Sequence, residues 1–458
     1  MPRMTGPVQP VASRGWILRA ALPIMAANIA TPLVGIVDVA LIGRSGSTAD
    51  IAAVALAALV FNILFWSFGF LRMGATALTA QADGAGDEFQ VRAQLIRGAL
   101  LGLLIGTVFV IAQWPIRELS FALFSTSAEL EAAGKAYFDT RIWGSPAALA
   151  GFAIYGWLIG LGRTGAALML QVVLNVANIV LSIWFVYGLD TGVAGLGAAS
   201  ALALWLHLAA AAVIIVPLLR RRGPLAIALR TRWRLLLERR ALQRLLAVNR
   251  DIFLRTLALL AGFAWFNEAS LREGAAVLAG NAILLQFIAV SAYFLDAFAH
   301  VTETVTGRAA GRGHWPSLRL AFIRASELAV VFALLLTLLL WLAGPLLITA
   351  MTTDATARAM ALQFLPWCAL VPLAGVAAYQ LDGLMIGATR GALMRNAMLA
   401  ALAFYLALDA LLRPMLGGHG LWLAFLGYYL ARAGTLALGW PGLRRDLARN
   451  NAEAGAGA

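Results

Sequence analysis

One carboxylate lies in the middle of an apolar stretch near the start of the chain. Asp38 is the sole charged residue among residues 35–43, and no basic residue stands three or four positions from it. In a spanning helix such an acid costs about 2.5–3.5 kcal/mol on insertion scales, and removal from water disfavours its charged form. We therefore expect Asp38 to take up and release a proton near neutral pH. The alternative is a structural acid that is satisfied by hydrogen bonds between helices.

A row of polar side chains in a later apolar stretch would complete a site for this acid. Asn175, Asn178 and Ser182 stand at positions i, i+3 and i+7, which places them on one face of a helix. Tyr155, in the preceding apolar stretch, is a further candidate. We expect these residues to form a small polar cavity with Asp38. The alternative for each is simple hydrogen bonding between packed helices.

A second set of ionisable residues lies in the other half of the chain. Asp296, His300 and Glu303 stand at i, i+4 and i+7 of one apolar stretch, and two later stretches carry Asp382 and Arg432. Charges buried in lipid usually pair with one another, so these residues predict one ionic network. Its role is open between structure or gating and direct handling of protons or substrate.

The motifs that would indicate an enzyme are missing from the sequence. Cys368 is the only cysteine, which excludes an intramolecular disulfide or a thiolate metal cluster. Zinc-protease, serine-hydrolase and ATP-binding motifs are also lacking. We expect no catalytic residue, no metal and no cofactor, so any transport must draw its energy from an ion gradient.

The composition is that of an integral membrane protein. Hydrophobic residues make up 62% and charged residues 12% of 458 residues, and the mean hydropathy is +0.83. About twelve stretches are long enough to cross about 30 Å of hydrocarbon as helices, which predicts an all-α membrane protein. They lie near 16–42, 51–80, 93–113, 136–160, 165–187 and 193–219, then near 251–272, 277–306, 318–342, 358–388, 393–412 and 418–440.

Two short motifs recur at the same spacing, which predicts an internal repeat. Arg163, in residues 160–165, matches Arg390, and Gly84, in residues 81–86, matches Gly311, with an offset of 227 in both cases. We predict two pseudo-symmetric six-helix lobes, residues 1–219 and 249–445. Such repeats in a multi-pass protein point to a transporter that works by alternating access.

Positive charge is concentrated between the two halves. The net charge is +13, and ten arginines against one acid, Glu238, lie between Arg220 and Arg250. We expect a multi-pass protein of the cell inner membrane. The positive-inside rule then places the linker, residues 220–248, and both termini on the cytoplasmic side. The linker is basic and partly amphipathic, so we expect it to lie on anionic membrane phospholipids and not on nucleic acid. We expect residues 446–458 to form a disordered tail.

Two prolines distinguish the first spanning stretch from its counterpart in the second half. Pro23 and Pro32 lie in the first stretch, and the seventh has none. A proline removes one backbone hydrogen bond and lets a helix kink. We expect the first helix to bend during function.

Several of these segments together resemble the multidrug and toxic compound extrusion (MATE) family. Residues 37–43, Gln81 with Gly84, residues 160–165 and the pair Asn175 and Asn178 are similar to its motifs. Three other segments, 249–255, 293–303 and 381–390, resemble the DinF-like branch in particular. The resemblance covers essentially the whole chain.

The resemblance implies two six-helix lobes around a V-shaped central cleft. It also implies a multidrug efflux antiporter, here expected to be a monomer, that exports amphipathic or organic cationic compounds in exchange for protons or sodium. Asp38 matches the branch's protonation site, and Asn178 its fifth-helix asparagine. Two positions depart from the family: Ser182 stands where some relatives have a second acid, and Arg163 where the family often has an acid.

Two other classes of function compete with this interpretation. A flippase for a lipid-linked precursor has a related fold, but it should line its cleft with several cations, and Arg432 is the one arginine well inside a predicted span. A membrane enzyme or scaffold is disfavoured by the missing catalytic motifs and by the repeat. Sodium coupling stays open, because Asp38, Asn178 and Ser182 supply oxygen ligands.

Overall fold

The chain folds entirely into helices over the residues that the computed structural model describes, which are 13–45, 47–122, 127–222 and 238–456. Sixteen α-helices lie in these ranges. The first nine are α1 Arg14–Ser45, α2 Thr48–Trp66, α3 Phe70–Gly84, α4 Glu88–Ile111, α5 Gln113–Ala122, α6 Ala128–Arg141, α7 Ser145–Gly160, α8 Thr164–Ile183 and α9 Gly192–Arg221. The other seven are α10 Arg239–Arg272, α11 Ala275–Gly311, α12 Trp315–Met351, α13 Ala355–Gly387, α14 Gly391–Leu416, α15 Gly418–Ala437 and α16 Trp440–Ala456.

Most of these helices are suited to cross a membrane. Within the described ranges, ten helical segments are long and apolar enough to do so. Two further helices, α1 and α10, have 32 and 34 residues. At 1.5 Å per residue, both exceed the length needed to cross the hydrocarbon. The predicted all-α membrane fold is confirmed.

The internal repeat is visible in the backbone of two turns. Gly86 and Gly313, which are 227 residues apart, both have φ of +70°. The turn before α8 has Gly162 at φ +62°, and its counterpart before α14 has Thr389 at φ +56°. A threonine seldom adopts this left-handed conformation. The same turn geometry is therefore present in both halves, although the second half has a threonine in place of the glycine.

The chain divides into two compact units. Unit 2 holds residues 23–82 and 86–249, and unit 1 holds residues 250–458 together with residues 1–22 and 83–85. The division after Asn249 lies at the start of the predicted second lobe, whereas the assignment of the start of α1, up to Leu22, to unit 1 was not predicted. Of the predicted linker, residues 223–237 lie outside the described residues.

The C-terminal segment differs from the prediction of a disordered tail. The helix α16 runs from Trp440 to Ala456, so residues 446–456 are helical. Leu443 and Leu447, one helical turn apart, are both buried. These two leucines give the first half of α16 a short buried apolar face.

Close backbone contacts at glycines bring helices together in unit 2. A Cβ atom added to Gly106 of α4 would lie 2.3 Å from Cα of Pro146 in α7, and one added to Gly102 would lie 2.5 Å from the carbonyl of Leu149. The buried indole of Trp157 also ties α7 to α4, because its Nε1 donates a 2.8 Å hydrogen bond to the carbonyl of Val91. Small residues at such contacts are what association inside a membrane requires.

Aromatic side chains fill the core of unit 1. Phe266 of α10 packs edge-on against Trp422 of α15, with ring centroids 5.0 Å apart, and against Phe425. The Trp422 indole donates a 3.0 Å hydrogen bond to Oδ1 of Asn281, which satisfies the polar atom of a fully buried ring. Cys368 is fully buried in the same cluster.

We expect Gly106→Ala to destabilise unit 2. The added methyl group overlaps backbone atoms of α7 that cannot rotate away, and overpacking of this kind costs about 1–3 kcal/mol. Gly434→Ala is the matched control, since nothing lies within 4 Å of its added Cβ. Retention of the monodisperse peak in size exclusion after heating measures the effect. Equal heat resistance of the two variants would contradict the close contact.

Candidate functional site

Asp38 is buried inside unit 2. Its side chain lies on α1 with only 3% of its surface exposed. The hydroxyl of Ser182, from α8, donates a long hydrogen bond of 3.4 Å to Asp38 Oδ1. No ion pair to Asp38 within 4 Å is present among the described residues. The acid is therefore removed from water with little compensation.

A short polar chain leads away from Ser182 along α8. Asn178, one turn earlier, is also buried, and its Nδ2 donates a 2.9 Å hydrogen bond to the hydroxyl of Ser200 on α9. Asn178 Oδ1 has no hydrogen-bond partner in the part of the chain that the structure describes. The predicted polar face of α8 thus meets α1 at Ser182 and α9 at Asn178.

An arginine lies close to this site although the acid has no ion pair. Arg141, at the end of α6, donates a short hydrogen bond to the hydroxyl of Tyr137. Its guanidinium lies over the ring of Phe61, 4.9 Å from the centroid. Arg141 acts electrostatically on Asp38, and Tyr137 is close enough to do so as well. A positive charge therefore lies within electrostatic range of the acid.

Sequence reasoning missed Arg141, Tyr137 and Ser200. A signal for the first two was available, because Tyr137 and Arg141 stand four residues apart inside the predicted span 136–160 and therefore share a helix face. Ser200 gave no such signal. It is a small residue among alanines, and its role depends on the helix against which α9 packs.

Two other predicted members of the cavity lie elsewhere in unit 2. The amide of Asn175 donates a 2.9 Å hydrogen bond to the backbone carbonyl of Ala30, two turns before Asp38 on α1. Tyr155 packs against the apolar cluster around Trp157 and lies within electrostatic range of Arg72. The structure thus brings Asn175 to the same helix as Asp38 and does not bring Tyr155 to it.

The two prolines of the first span lie within one unbroken helix. α1 runs continuously from Arg14 to Ser45 through both positions. The division between the two units falls between Leu22 and Pro23. The side chain of Pro32 lies outside the described residues. Whether α1 bends stays a prediction.

Unit 1 contains a buried cluster of two arginines and one aspartate. Oδ2 of Asp382, on α13, accepts a hydrogen bond from Nη2 of Arg432 on α15 at 2.8 Å. The same oxygen accepts a short hydrogen bond from Nη2 of Arg255 on α10. All three side chains are at most 7% exposed. The pairing of Asp382 with Arg432 was predicted, and Arg255 was missed because it lies only four residues inside the predicted span.

Aromatic rings surround the Arg432 guanidinium. Its central carbon lies 5.4 Å from the ring centroid of Tyr429 and 5.8–5.9 Å from those of Tyr428 and Tyr379. Rings at this distance stabilise a desolvated cation. The cation is therefore held by one carboxylate and three ring faces.

The other predicted members of the network lie on α11, which packs tightly against α13. Gly383 and Gly387 allow this approach, since an added Cβ would lie 2.6 Å and 2.5 Å from carbonyl oxygens of α11. Asp296 acts electrostatically on Tyr379 and Tyr429, two of the rings around Arg432. His300 and Glu303 are buried further along α11.

A second buried acid of unit 1 also has an arginine partner. Asp409 is fully buried, and its Oδ2 accepts hydrogen bonds from Trp265 Nε1 at 3.0 Å and from Arg413 Nε at 3.3 Å. Asp382 and Asp409 are thus each neutralised by direct contact with an arginine. Over the residues that the structure describes, Asp38 has no such contact, which distinguishes it electrostatically from Asp382 and Asp409.

An internal repeat and buried ionisable residues in a helical membrane protein are typical of a multi-pass transporter. The MatE family model matches residues 23–184 and 259–411 of the chain. The chain therefore belongs to the MatE family, whose members are transporters and not enzymes.

Individual relatives extend this similarity over nearly the whole chain. DNA damage-inducible protein F of Escherichia coli (strain K12) is 36% identical over 420 residues, which are 92% of this chain and 90% of that protein. The probable multidrug resistance protein NorM of Bradyrhizobium diazoefficiens is 29% identical over 94% of this chain and 93% of its own length.

Solved structures of MATE proteins share the fold. A structure of MATE in the bent conformation superposes with a TM-score of 0.82 at 19% identity and covers 96% of both chains. One in the straight conformation gives a TM-score of 0.80 at 19% identity and covers 95% of this chain and 96% of its own. The resemblance to the MATE family is confirmed.

We expect Asp382→Asn to destabilise unit 1 strongly, because it leaves Arg255 and Arg432 facing each other without a counter-charge. Removing one partner of a buried ionic group typically costs about 3–5 kcal/mol. Asp446→Asn is the matched control, since it removes an aspartate whose pair with Arg390 is 38–43% exposed and contributes about 0–1 kcal/mol.

The buried thiol of Cys368 reports on unit 1 directly. Its labelling by a thiol-reactive dye during heating in detergent gives the unfolding temperature of each variant. Similar temperatures for Asp382→Asn and Asp446→Asn would show that the cluster does not hold unit 1 together.

Proposed function

We propose that this protein is a secondary active multidrug efflux antiporter. It exports amphipathic and organic cationic compounds in exchange for protons, by alternating access, and Asp38 carries the proton. The relatives named as multidrug resistance proteins support the class of substrate. We further propose that it works as a monomer in the inner membrane, with its arginine-rich helix ends and both termini on the cytoplasmic side.

The single observation that supports proton coupling is the environment of Asp38. Asp38 is buried and has a cation within electrostatic range, and it forms no ion pair with any residue that the structure describes. An acid locked in an ion pair stays charged through a transport cycle, whereas one that is only weakly compensated changes its state at modest cost. Its protonation is therefore available for coupling to transport.

Exchange follows from one site with two states. A charged Asp38 attracts an organic cation and keeps its polar neighbours oriented toward it. A protonated Asp38 loses this attraction and no longer needs polar partners, so that α1 packs differently. Proton and cargo then stabilise opposite conformations, which is what antiport requires.

The buried arginines of unit 1 favour this function over lipid-linked precursor flipping. Arg255 and Arg432 are both turned onto Asp382 and are not free to hold a pyrophosphate. Sodium coupling is a second candidate, favoured by the unpartnered Oδ1 of Asn178 near Ser182 and Asp38. Transport assays with separately imposed proton and sodium gradients distinguish proton coupling from sodium coupling.

We expect Asp38→Asn to abolish efflux driven by a proton gradient while the protein stays folded, because the amide keeps the shape of the acid but cannot release a proton. The assay is efflux of a fluorescent organic cation in liposomes with proton and sodium gradients imposed separately. Glu129→Gln, an exposed acid in the first turn of α6, is the control and should behave as wild type. Normal proton-driven efflux by Asp38→Asn would rule out the proposed role, and wild-type efflux driven by sodium alone would assign the coupling to sodium.

We also propose that α1 bends at its prolines when Asp38 is protonated. Pro23→Ala restores a backbone hydrogen bond and should stiffen α1, so this variant should bind cargo normally and export it more slowly. Pro345→Ala, at an exposed interior position of α12, is the control. Spin-label distances between α1 and α8 at acid and alkaline pH measure the bend. Distances in the wild type that do not vary with pH would exclude this step.

A further inference from the structure

A basic cavity lies at one end of unit 2, away from Asp38. It has a volume of about 430 Å³ and lies between the turn before α8 and the end of α9. Arg163 and Arg221 line it from the two sides, and Ile214 and Leu218 form an apolar wall. The size is within the range of small-ligand sites.

The described residues that line the cavity carry positive charge and no acid. Its lining contains two arginines and no acidic residue. The structure shows no ion pair to either arginine among the residues it describes, whereas neighbouring Arg222 is paired with Glu88 at 2.9 Å. Two arginines that line one cavity, with no ion pair among the described residues, favour an anionic ligand.

The start of α8 adds backbone donors to the same cavity. Among the residues in the described ranges, no side chain caps this helix, so the first amide groups at Thr164 and Gly165 lack the usual acceptor there. Both residues line the cavity, and nothing lies within 4 Å of a Cβ built on Gly165. An anion at this point would accept hydrogen bonds from the helix and from both arginines.

The internal repeat supplies a comparison within the same chain. Arg390 is the counterpart of Arg163 and starts α14 in the same way, with φ and ψ of −93° and 47° against −89° and 51°. In unit 1 this arginine is paired with Asp446 of α16. The position 227 residues before Asp446 is Leu219, so the first half lacks the acid. Arg163 therefore leaves a positive charge in the cavity of unit 2, whereas Asp446 neutralises the equivalent charge of Arg390 in unit 1.

The surroundings favour a lipid as the source of the anion. The cavity lies where α8 begins and α9 ends, which is the level of the headgroups for helices that cross the bilayer. An exposed apolar row continues from its mouth along α8 through Met169, Val172 and Val176. A phosphate at the arginines and an acyl chain along this row would fit one molecule.

We propose that this cavity is a specific binding site for the phosphate group of an anionic phospholipid. Arg163 and Arg221 bind the phosphate, the start of α8 donates backbone hydrogen bonds to it, and the wall of Ile214 and Leu218 contacts the glycerol and upper acyl chain. The proposal is independent of proton coupling at Asp38.

Native mass spectrometry of the purified, delipidated full chain, titrated with phosphatidylglycerol, tests the site. We expect Arg163→Gln and Arg221→Gln each to weaken the tightest binding step about tenfold, as expected when one hydrogen bond to a charged group is lost. Arg220→Gln is the matched control, because it removes the same charge from an exposed neighbour that does not line the cavity. All three positions are at the surface, and size exclusion verifies that each variant is folded.

The outcomes separate the proposal from general attraction to a basic surface. Equal weakening by Arg220→Gln, or wild-type binding by both cavity variants, would overturn the site. Phosphatidylcholine should not compete, and inorganic phosphate in excess should compete only weakly. Inorganic phosphate that displaces the lipid at comparable concentration would overturn the lipid assignment in favour of a soluble phosphate.

Discussion

A charge that is removed from water inside a bundle of apolar helices must be paired, neutralised by a proton or given a ligand, and this constraint explains most of the polar chemistry of the chain. Isolated charges cost several kcal/mol in such surroundings. Asp382 meets the constraint with two arginines, and Asp409 with Arg413 and the indole of Trp265. Among the described residues, Asp38 has a long hydrogen bond from Ser182 and a more distant cation, which leaves a proton or a bound ligand as the remaining means of compensation.

The two halves share a backbone but differ in their electrostatics. The turns around Gly86 and Gly313, and those before α8 and α14, have matching dihedral angles. Within unit 1 the buried Asp382 and Asp409 each contact an arginine, and Arg390 is paired with Asp446. Within the described part of unit 2, neither the acid of α1 nor the arginine before α8 forms an ion pair. On this account the second half serves as a charge-balanced scaffold and the first half carries the exchangeable ligands.

The sequence predicted the features that depend on local pattern. Hydropathy located the spanning helices, and the spacing of Asn178 and Ser182 indicated a polar helix face. Because a buried arginine must be paired, the sequence also predicted that Arg432 and Asp382 belong to one ionic network. The contributions of Arg141, Ser200 and Arg255 depend on how helices are rotated against one another. That rotation is set by packing, including close contacts such as Gly106 with Pro146, and no single stretch of sequence reports it.

Two further differences have a similar origin. Tyr155 has the right residue type and depth for the Asp38 site, but its helix turns it toward the Trp157 cluster. The last segment is small and polar by composition, yet Leu443 and Leu447 stand four residues apart and fold it as a helix. In both cases the outcome depends on the direction in which a side chain points, and composition alone does not predict that direction.

The most direct test of proton coupling counts the protons released when cargo binds. Calorimetric titration of the purified protein with a permanent organic cation, in buffers of different ionisation enthalpy, gives that number at a pH where Asp38 is protonated. Competition at one acid predicts about one proton released per cation bound to the wild type, and none for Asp38→Asn, because binding of the two ligands is linked reciprocally. Cation binding to the wild type without proton release, or equal release from Asp38→Asn, would contradict the account.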